Sequence, residues 1–215
     1  MKTFRQFFEQ KESKSLTATF GRFNPPTIGH EKLFNKLEEE SGGGDWRAYV
    51  SQTQRPTTDP LGYEEKVEFL KEMFPQYENN IVYDTNIKTI LNVLTQAYDD
   101  GYTKFTLVVG DDRFKAMKTL AEQYHGVEGK PHGFYHFPDG LEFENAGKRN
   151  PNASGVEGMS ASKLKLAASK DDFQEFNKGL PTGFAYSHEL FDAVKKGMGM
   201  PSDEEIAAYR AKKNK

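Results

Sequence analysis

The run Ala18-Thr-Phe-Gly-Arg-Phe-Asn-Pro-Pro-Thr-Ile-Gly-His30 constrains this chain more than any other stretch. A β-prone segment, Leu16 to Phe20, ends in Gly21. A rigid Asn24-Pro25-Pro26 corner follows, and Thr27-Ile28-Gly29-His30 then opens a helical pattern. A strand that passes through a tight loop into a helix start is a phosphate-binding device, because exposed N–H groups and the positive end of the helix dipole favour an anion there. Here the loop also delivers a hydroxyl from Thr27 and an imidazole from His30.

Strand-like and helical runs alternate through the rest of the chain. Strands are expected at Leu16–Arg22, Arg47–Gln52, Ile81–Tyr83, Phe105–Gly110 and Gly133–Phe137. Helices are expected at Gly29–Glu40, Gly62–Phe74, Ile87–Asp99, Asp112–Tyr124, Ala161–Ser169, Asp172–Lys178, Tyr186–Lys196 and Asp203–Lys213. This order predicts an α/β fold: a Rossmann-like parallel sheet with right-handed crossovers, flanked by helices, with a short helical C-terminal extension. The expected divisions are an N-terminal amphipathic segment over 1–13, the main domain over 14–183, and the extension with its charged tail over 184–215. Glu142–Gly158 is rich in Gly, Asn and Pro, has no periodicity, and reads as a long loop. The charged tail after Pro201 reads as mobile.

Composition narrows the function. With 215 residues, 36% hydrophobic and 28% charged, the chain suits a globular domain with a substantial core. A net charge of −3 argues against a broad nucleic-acid surface. The absence of cysteine removes thiolate catalysis, disulfides and zinc–thiolate sites. No apolar run approaches the roughly 20 residues that cross a bilayer. His132 and His136 stand four apart but share only a strand face with no third ligand, so no metal site is read there.

Four segments together resemble the nucleotidyltransferase superfamily. Gly21-Arg-Phe-Asn-Pro-Pro-Thr-Ile-Gly-His30 resembles its first signature, [HT]-x-G-H. Met159-Ser-Ala-Ser-Lys-Leu-Lys165 resembles the second, I-S-x-T-x-x-R. Val108-Val-Gly-Asp-Asp-Arg113 looks like the strand-end G-x-D of nicotinamide-nucleotide adenylyltransferases, and Thr58-Asp-Pro-Leu-Gly-Tyr-Glu-Glu-Lys66 fits the segment before the second crossover helix. The match runs from about Leu16 to Pro181. Two departures matter: Thr27 stands for the commoner first histidine, and Lys165 for an arginine, while Ser162 keeps the hydroxyl of the usual threonine. Lysine keeps the charge but loses the bidentate fork for phosphate oxygens.

The resemblance implies transfer of a nucleotidyl group from a nucleoside triphosphate to a phosphorylated acceptor, with release of pyrophosphate. His30, Thr27 and Lys165 are the expected catalytic residues. His30 would donate a hydrogen bond to an α-phosphate oxygen, and Thr27 would do the same or cap its helix. Gly21, Arg22, Phe23, Asn24, Gly29, Gly110, Asp112, Ser160, Ser162 and Lys163 are the expected nucleotide-binding residues. Among them, Arg22 and Lys163 supply charge. Ser160 opens a helix whose N-terminus holds the β- and γ-phosphates. Asp112 lies just past a strand end and accepts from a ribose or the acceptor. Mg²⁺ would be held mainly by phosphates and water, with no protein-built metal cage. Plainer roles stand beside these: Thr27 and Ser160 as N-caps, Asp111 and Asp112 as favourable helix starts, Lys163 and Lys165 as a solvated face.

Gly-Arg-Phe-Asn-Pro-Pro looks closer to nicotinamide-nucleotide adenylyltransferases than to cytidylyltransferases. This favours ATP as donor and nicotinamide mononucleotide as acceptor. The alternatives are a cytidylyltransferase, a catalytically weakened nucleotide-binding module, and a structural protein of a phage head.

At the N-terminus, Thr3 and Gln6 fit a capping box, and Phe4, Phe7 and Phe8 fall on one helical face. Met1-Lys-Thr-Phe-Arg-Gln-Phe-Phe-Glu9 resembles the capsid-targeting peptide of internal head proteins of large contractile-tailed bacteriophages, with Phe7 where an aliphatic residue is usual. That resemblance implies a bacteriophage protein in the cytoplasm of an infected host, packaged in the virion head, with a head protease and the capsid core as partners.

Overall fold

Leu16, Thr17, Ala18, Thr19 and Phe20 are all buried in strand β1, Ser15–Gly21. A strand covered on both faces belongs at the centre of a parallel sheet, and β1 takes that place. The structure, a computed structural model, describes residues 13–147, 160–201 and 212. The remaining strands are β2, Asp45–Val50; β3, Ile81–Val82; β4, Lys104–Val109; and β5, Gly140–Asn145. They form one parallel sheet in the order β3-β2-β1-β4-β5.

Side-chain alternation sorts the sheet into two cores. Ala48, Val50 and Val108 point to one face. There they meet Phe34 and Leu37 of α1, Glu31–Ser41, and Val67 and Leu70 of α2, Tyr63–Met73. Leu16, Ala18, Tyr49, Phe105 and Leu107 belong to the other face. They meet Val93, Leu94 and Ala97 of α3, Ile90–Asp99, and Ala121 of α4, Asp111–Tyr124. The direction of winding reverses between β1 and β4. In open α/β sheets, ligands bind just beyond the strand ends at that switch point.

Three further helices complete the first core: α5, Ala161–Ser169; α6, Phe173–Asn177; and α7, Ser187–Gly197. From α7, Leu190, Phe191 and Val194 are buried in that core, and buried Lys195 donates to Asp171 Oδ1 at 2.5 Å.

Two expectations need correction. Gly133–Phe137 is not a strand. Its alternation reflects burial of Tyr135 and Phe137 in an irregular connection, where the Tyr135 hydroxyl donates to the Ala121 carbonyl at 2.7 Å. The fifth strand instead takes residues 140–145, which overlap the stretch read as loop. Its Glu142 and Glu144 suit an edge strand, and Glu142 pairs with Lys104 across the ladder at 2.8 Å. The first helix also starts differently. Ile28–His30 is a 3₁₀ turn, and α1 begins at Glu31. The other expected strands, and the helices over 62–74, 87–99, 112–124, 161–169, 172–178 and 186–196, fall within a few residues of their observed bounds. The helix expected over Asp203–Lys213 lies outside the described residues, except Lys212. Among the described residues, no helix is long and apolar enough to cross a membrane.

Candidate active site

A cleft of about 380 Å³ opens beyond the carboxyl ends of β1 and β4. Of the residues expected from sequence, His30, Lys165, Gly21, Arg22, Phe23, Asn24, Gly110, Asp112, Ser160 and Ser162 line it. Thr27, Gly29 and Lys163 are not part of its lining.

The Gly21–His30 loop builds one wall. Phe23 adopts φ +48° and packs its ring 4.8 Å from that of His30 and 5.9 Å from that of Phe34. This fold-back explains Gly21, since a Cβ there would lie 2.6 Å from Phe23 Cε2. The Asn24 side chain forms a two-way clasp with Leu61: Nδ2 donates to the Leu61 carbonyl at 2.9 Å, and the Leu61 N–H donates to Oδ1 at 3.0 Å. The Asn24–Pro25 peptide is cis. The following turn is anchored by the Ile28 N–H, which donates to the Gly179 carbonyl at 2.8 Å.

His30 is only 4% exposed. Its Nδ1 accepts from the Thr27 N–H at 2.9 Å, and the Thr27 hydroxyl lies 3.2 Å from the same nitrogen. An Nδ1 that accepts carries no proton, so the ring is neutral and its N–H is at Nε2. Thr27, buried behind the histidine, thus orients His30 instead of lining the cleft.

Gly110 caps α4 at the second wall. Its missing Cβ gives room to Asp112, whose Oδ1 would lie 3.0 Å away. Asp112 and Arg113 line the cleft, while Asp111 accepts from Asn145 Nδ2 at 2.9 Å. At the third wall, Ser160 caps α5 by accepting from the Lys163 N–H at 3.3 Å. Lys163 therefore takes part through its backbone.

The fourth wall is the part the sequence did not reveal as a site. Thr58 and Asp59 enter the cleft from the connection after β2. Asp59 is 1% exposed, accepts from the Thr58 hydroxyl at 2.9 Å, and lies 3.7 Å from Arg22 Nη1. Lys165 donates to the Thr58 carbonyl. Burial pulls the Lys165 ammonium below the usual lysine range, Asp59 opposes that, and Arg22 adds to it. Nearby, Lys66 is fully buried and donates to the carbonyls of Ser51 and, at 3.1 Å, Thr53. A sequence signal for Lys66 existed: it is a charged residue in the apolar i, i+3, i+4 stripe formed with Tyr63, Val67 and Leu70.

No known family profile matches the chain, and no curated protein does. Solved structures do. A protein from Vibrio parahaemolyticus, provisionally assigned as a nicotinate-nucleotide adenylyltransferase, superposes with a TM-score of 0.51 at 14% identity, over 82% of this chain and 98% of its own. The Plasmodium falciparum nicotinic acid mononucleotide adenylyltransferase complexed with NaAD superposes with a TM-score of 0.53 at 13% identity, over 83% and 98%. The chain shares its fold with these proteins. At such identities the likeness is one of fold, and the chemistry has to be argued from the cleft itself.

Among the described residues, the cleft combines a neutral imidazole, the cations Arg22, Arg113 and Lys165 from three elements, and a helix N-terminus. Such a set is chemically suited to an anion with several phosphate oxygens.

Proposed function

We propose that the chain is a nucleotidyltransferase that moves the adenylyl group of ATP to the phosphate of a small acceptor, nicotinamide mononucleotide being the leading candidate, and releases pyrophosphate. The observation that carries this reading is His30. Its Nδ1 is tied to the Thr27 N–H, which leaves Nε2–H as its donor in a cleft shared with Arg22, Lys165 and the start of α5. The shared fold with adenylyltransferases, one of them complexed with NaAD, adds support.

In the proposed step an acceptor phosphate oxygen attacks the α-phosphorus. A bond forms there, the bond from that phosphorus to the oxygen bridging the β-phosphate breaks, and its electron pair leaves with pyrophosphate. His30 donates a hydrogen bond to an α-phosphate oxygen and keeps its proton throughout. Lys165, Arg22 and the N–H groups at the start of α5 take up charge on the β- and γ-phosphates. The protein's contribution is positioning and charge stabilisation.

Among the described residues, two carboxylates, Asp59 and Asp112, line the cleft, and Asp59 is committed to Thr58 and Arg22. A Mg²⁺ ion would therefore take most of its oxygens from phosphates and water, with Asp112 the protein group that fits it best. Such an ion would offset phosphate charge.

A second reading has its own support. Lys165 stands in the arginine position and donates to a backbone carbonyl, which fits a protein that binds nucleotide without turning it over. A pyrophosphate-release screen crossing four nucleoside triphosphates with a panel of phosphorylated metabolites decides. Turnover with ATP and a mononucleotide is the expected result. ATP binding without pyrophosphate release would favour the second reading, and no nucleotide binding would favour a packing role in a phage head. Met1–Glu9, the proposed head-targeting segment, lies outside the described residues.

A further inference from the structure

Asp59 has the wrong sign to hold a nucleotide's phosphates, yet it is buried in the wall that would receive them. Three cations surround it. Arg22 approaches to 3.7 Å from the loop after β1 and is 48% exposed. Lys165 arrives from α5 and donates to the carbonyl of Thr58, the neighbouring residue. Lys66 arrives from α2 and donates to the carbonyls of Ser51 and Thr53. The two lysines thus fasten the same segment, Ser51 to Asp59, to two different helices. An ammonium group does this with charge-assisted bonds, which a neutral amine does not match.

We propose that Asp59 is a positioning residue: its buried charge keeps Lys66 and Lys165 as ammonium groups, and they hold the Ser51–Asp59 segment and the cationic side of the cleft in the arrangement that receives β- and γ-phosphates. This rests on the nucleotidyl-transfer reading of the cleft. Burial pushes Lys66 down to about 8, with Asp59 as the charge that opposes it. Lys165 is pushed the same way by burial and by Arg22, again opposed by Asp59. Removing Asp59 lowers both further, so protons leave at a lower pH.

The sign of the effect on anion binding therefore depends on pH. At low pH both lysines carry protons with or without Asp59, and Asp59→Asn only removes a repulsion. Near pH 8.5 the variant has lost ammonium charge that the wild type partly keeps.

Isothermal titration of the full chain with inorganic tripolyphosphate, from pH 6 to 9.5, tests this. The ratio of variant to wild-type affinity at each pH cancels the probe's own titration. The expected ratio is near or above one at pH 6 and falls as pH rises, by about tenfold for each unit by which the lysine pKa is lower in the variant. A ratio below one and constant with pH would make Asp59 a structural prop. A ratio above one at every pH would make it only a competitor for Arg22. Either result overturns the proposal. Wild type that binds no tripolyphosphate would overturn the phosphate-cleft reading, and the proposal with it. Should Asp59→Asn not fold, the wild type decides: the Lys66 ammonium, followed by nitrogen NMR, should titrate near 8 in step with weakening tripolyphosphate binding. Titration near the ordinary value of about 10.4, or binding that ignores pH, would overturn it.

Discussion

Two walls of the cleft are made in opposite ways. The Gly21–His30 wall is contiguous in sequence, neutral at its key residue, and set by short-range contacts: Phe23 over Gly21, and the Thr27 N–H on His30. The Thr58–Asp59 wall is charged and assembled from a distance, with Arg22, Lys66 and Lys165 converging from three elements. A local wall can fix one donor to within tenths of an ångström. An assembled wall can gather charge but depends on every element that contributes to it. In the proposed transfer the first would meet the reacting phosphate and the second the leaving group.

The largest expected effect tests the local wall. His30→Ala should lower turnover about 10²–10³-fold, the usual cost of one donor aimed at developing charge. ATP affinity by titration should change far less. Near-normal turnover in a folded variant would remove His30 from the chemistry.

Next in size is the assembled wall. Lys165→Ala should weaken ATP binding about 10-fold or more, as expected for a charge-assisted bond to phosphate. Lys165→Arg should preserve binding or improve it through a better fork. Unchanged affinity in the alanine variant would leave Lys165 as a brace for Thr58 alone.

How much of this was legible in the sequence follows from the same contrast. Gly21–His30 could be read because strand, corner and helix start are consecutive. Ala161–Ser169 could be read because Ser160 supplies a cap at its start. Asp59 could not, because its burial depends on cations more than 35 positions away in two directions, at Arg22 and Lys165. Thr27 reads from sequence as a phosphate donor or a helix cap, and its hydroxyl's place 3.2 Å from His30 Nδ1 was not legible because it depends on how the turn folds back. The fifth strand was hidden by its glutamates, which an edge tolerates and a central strand would not.

A smaller effect reaches the assembled wall from behind. A Cβ on Gly197, near the end of α7, would lie 2.2 Å from the carbonyl oxygen of Pro60, next to Asp59. That contact is with backbone and cannot be relieved by a side-chain rotation. Gly197→Ala should cost about 1–3 kcal/mol in stability by denaturant titration, as overpacking does. It should also raise the KM for ATP more than it lowers kcat. An unchanged KM would show that α7 does not bear on the wall.

The smallest effect is expected at the N-terminus. Deleting residues 1–12 should leave steady-state kinetics nearly unchanged, since every residue assigned to either wall lies beyond them. A large loss of melting temperature or activity would mean instead that the face formed by Phe4, Phe7 and Phe8 is docked on the domain.

If one cleft with His30 as its donor carries out the proposed nucleotidyl transfer, the reaction can be followed at phosphorus. Phosphorus NMR of ATP, Mg²⁺ and nicotinamide mononucleotide mixed with the wild type and with His30→Ala tests it most directly. Wild type should convert the α-phosphate of ATP into a dinucleotide diphosphate with one pyrophosphate per turnover, and His30→Ala should bind ATP but form product at least about a hundredfold more slowly. Equal product formation by the two proteins, or release of orthophosphate in place of pyrophosphate, would contradict it.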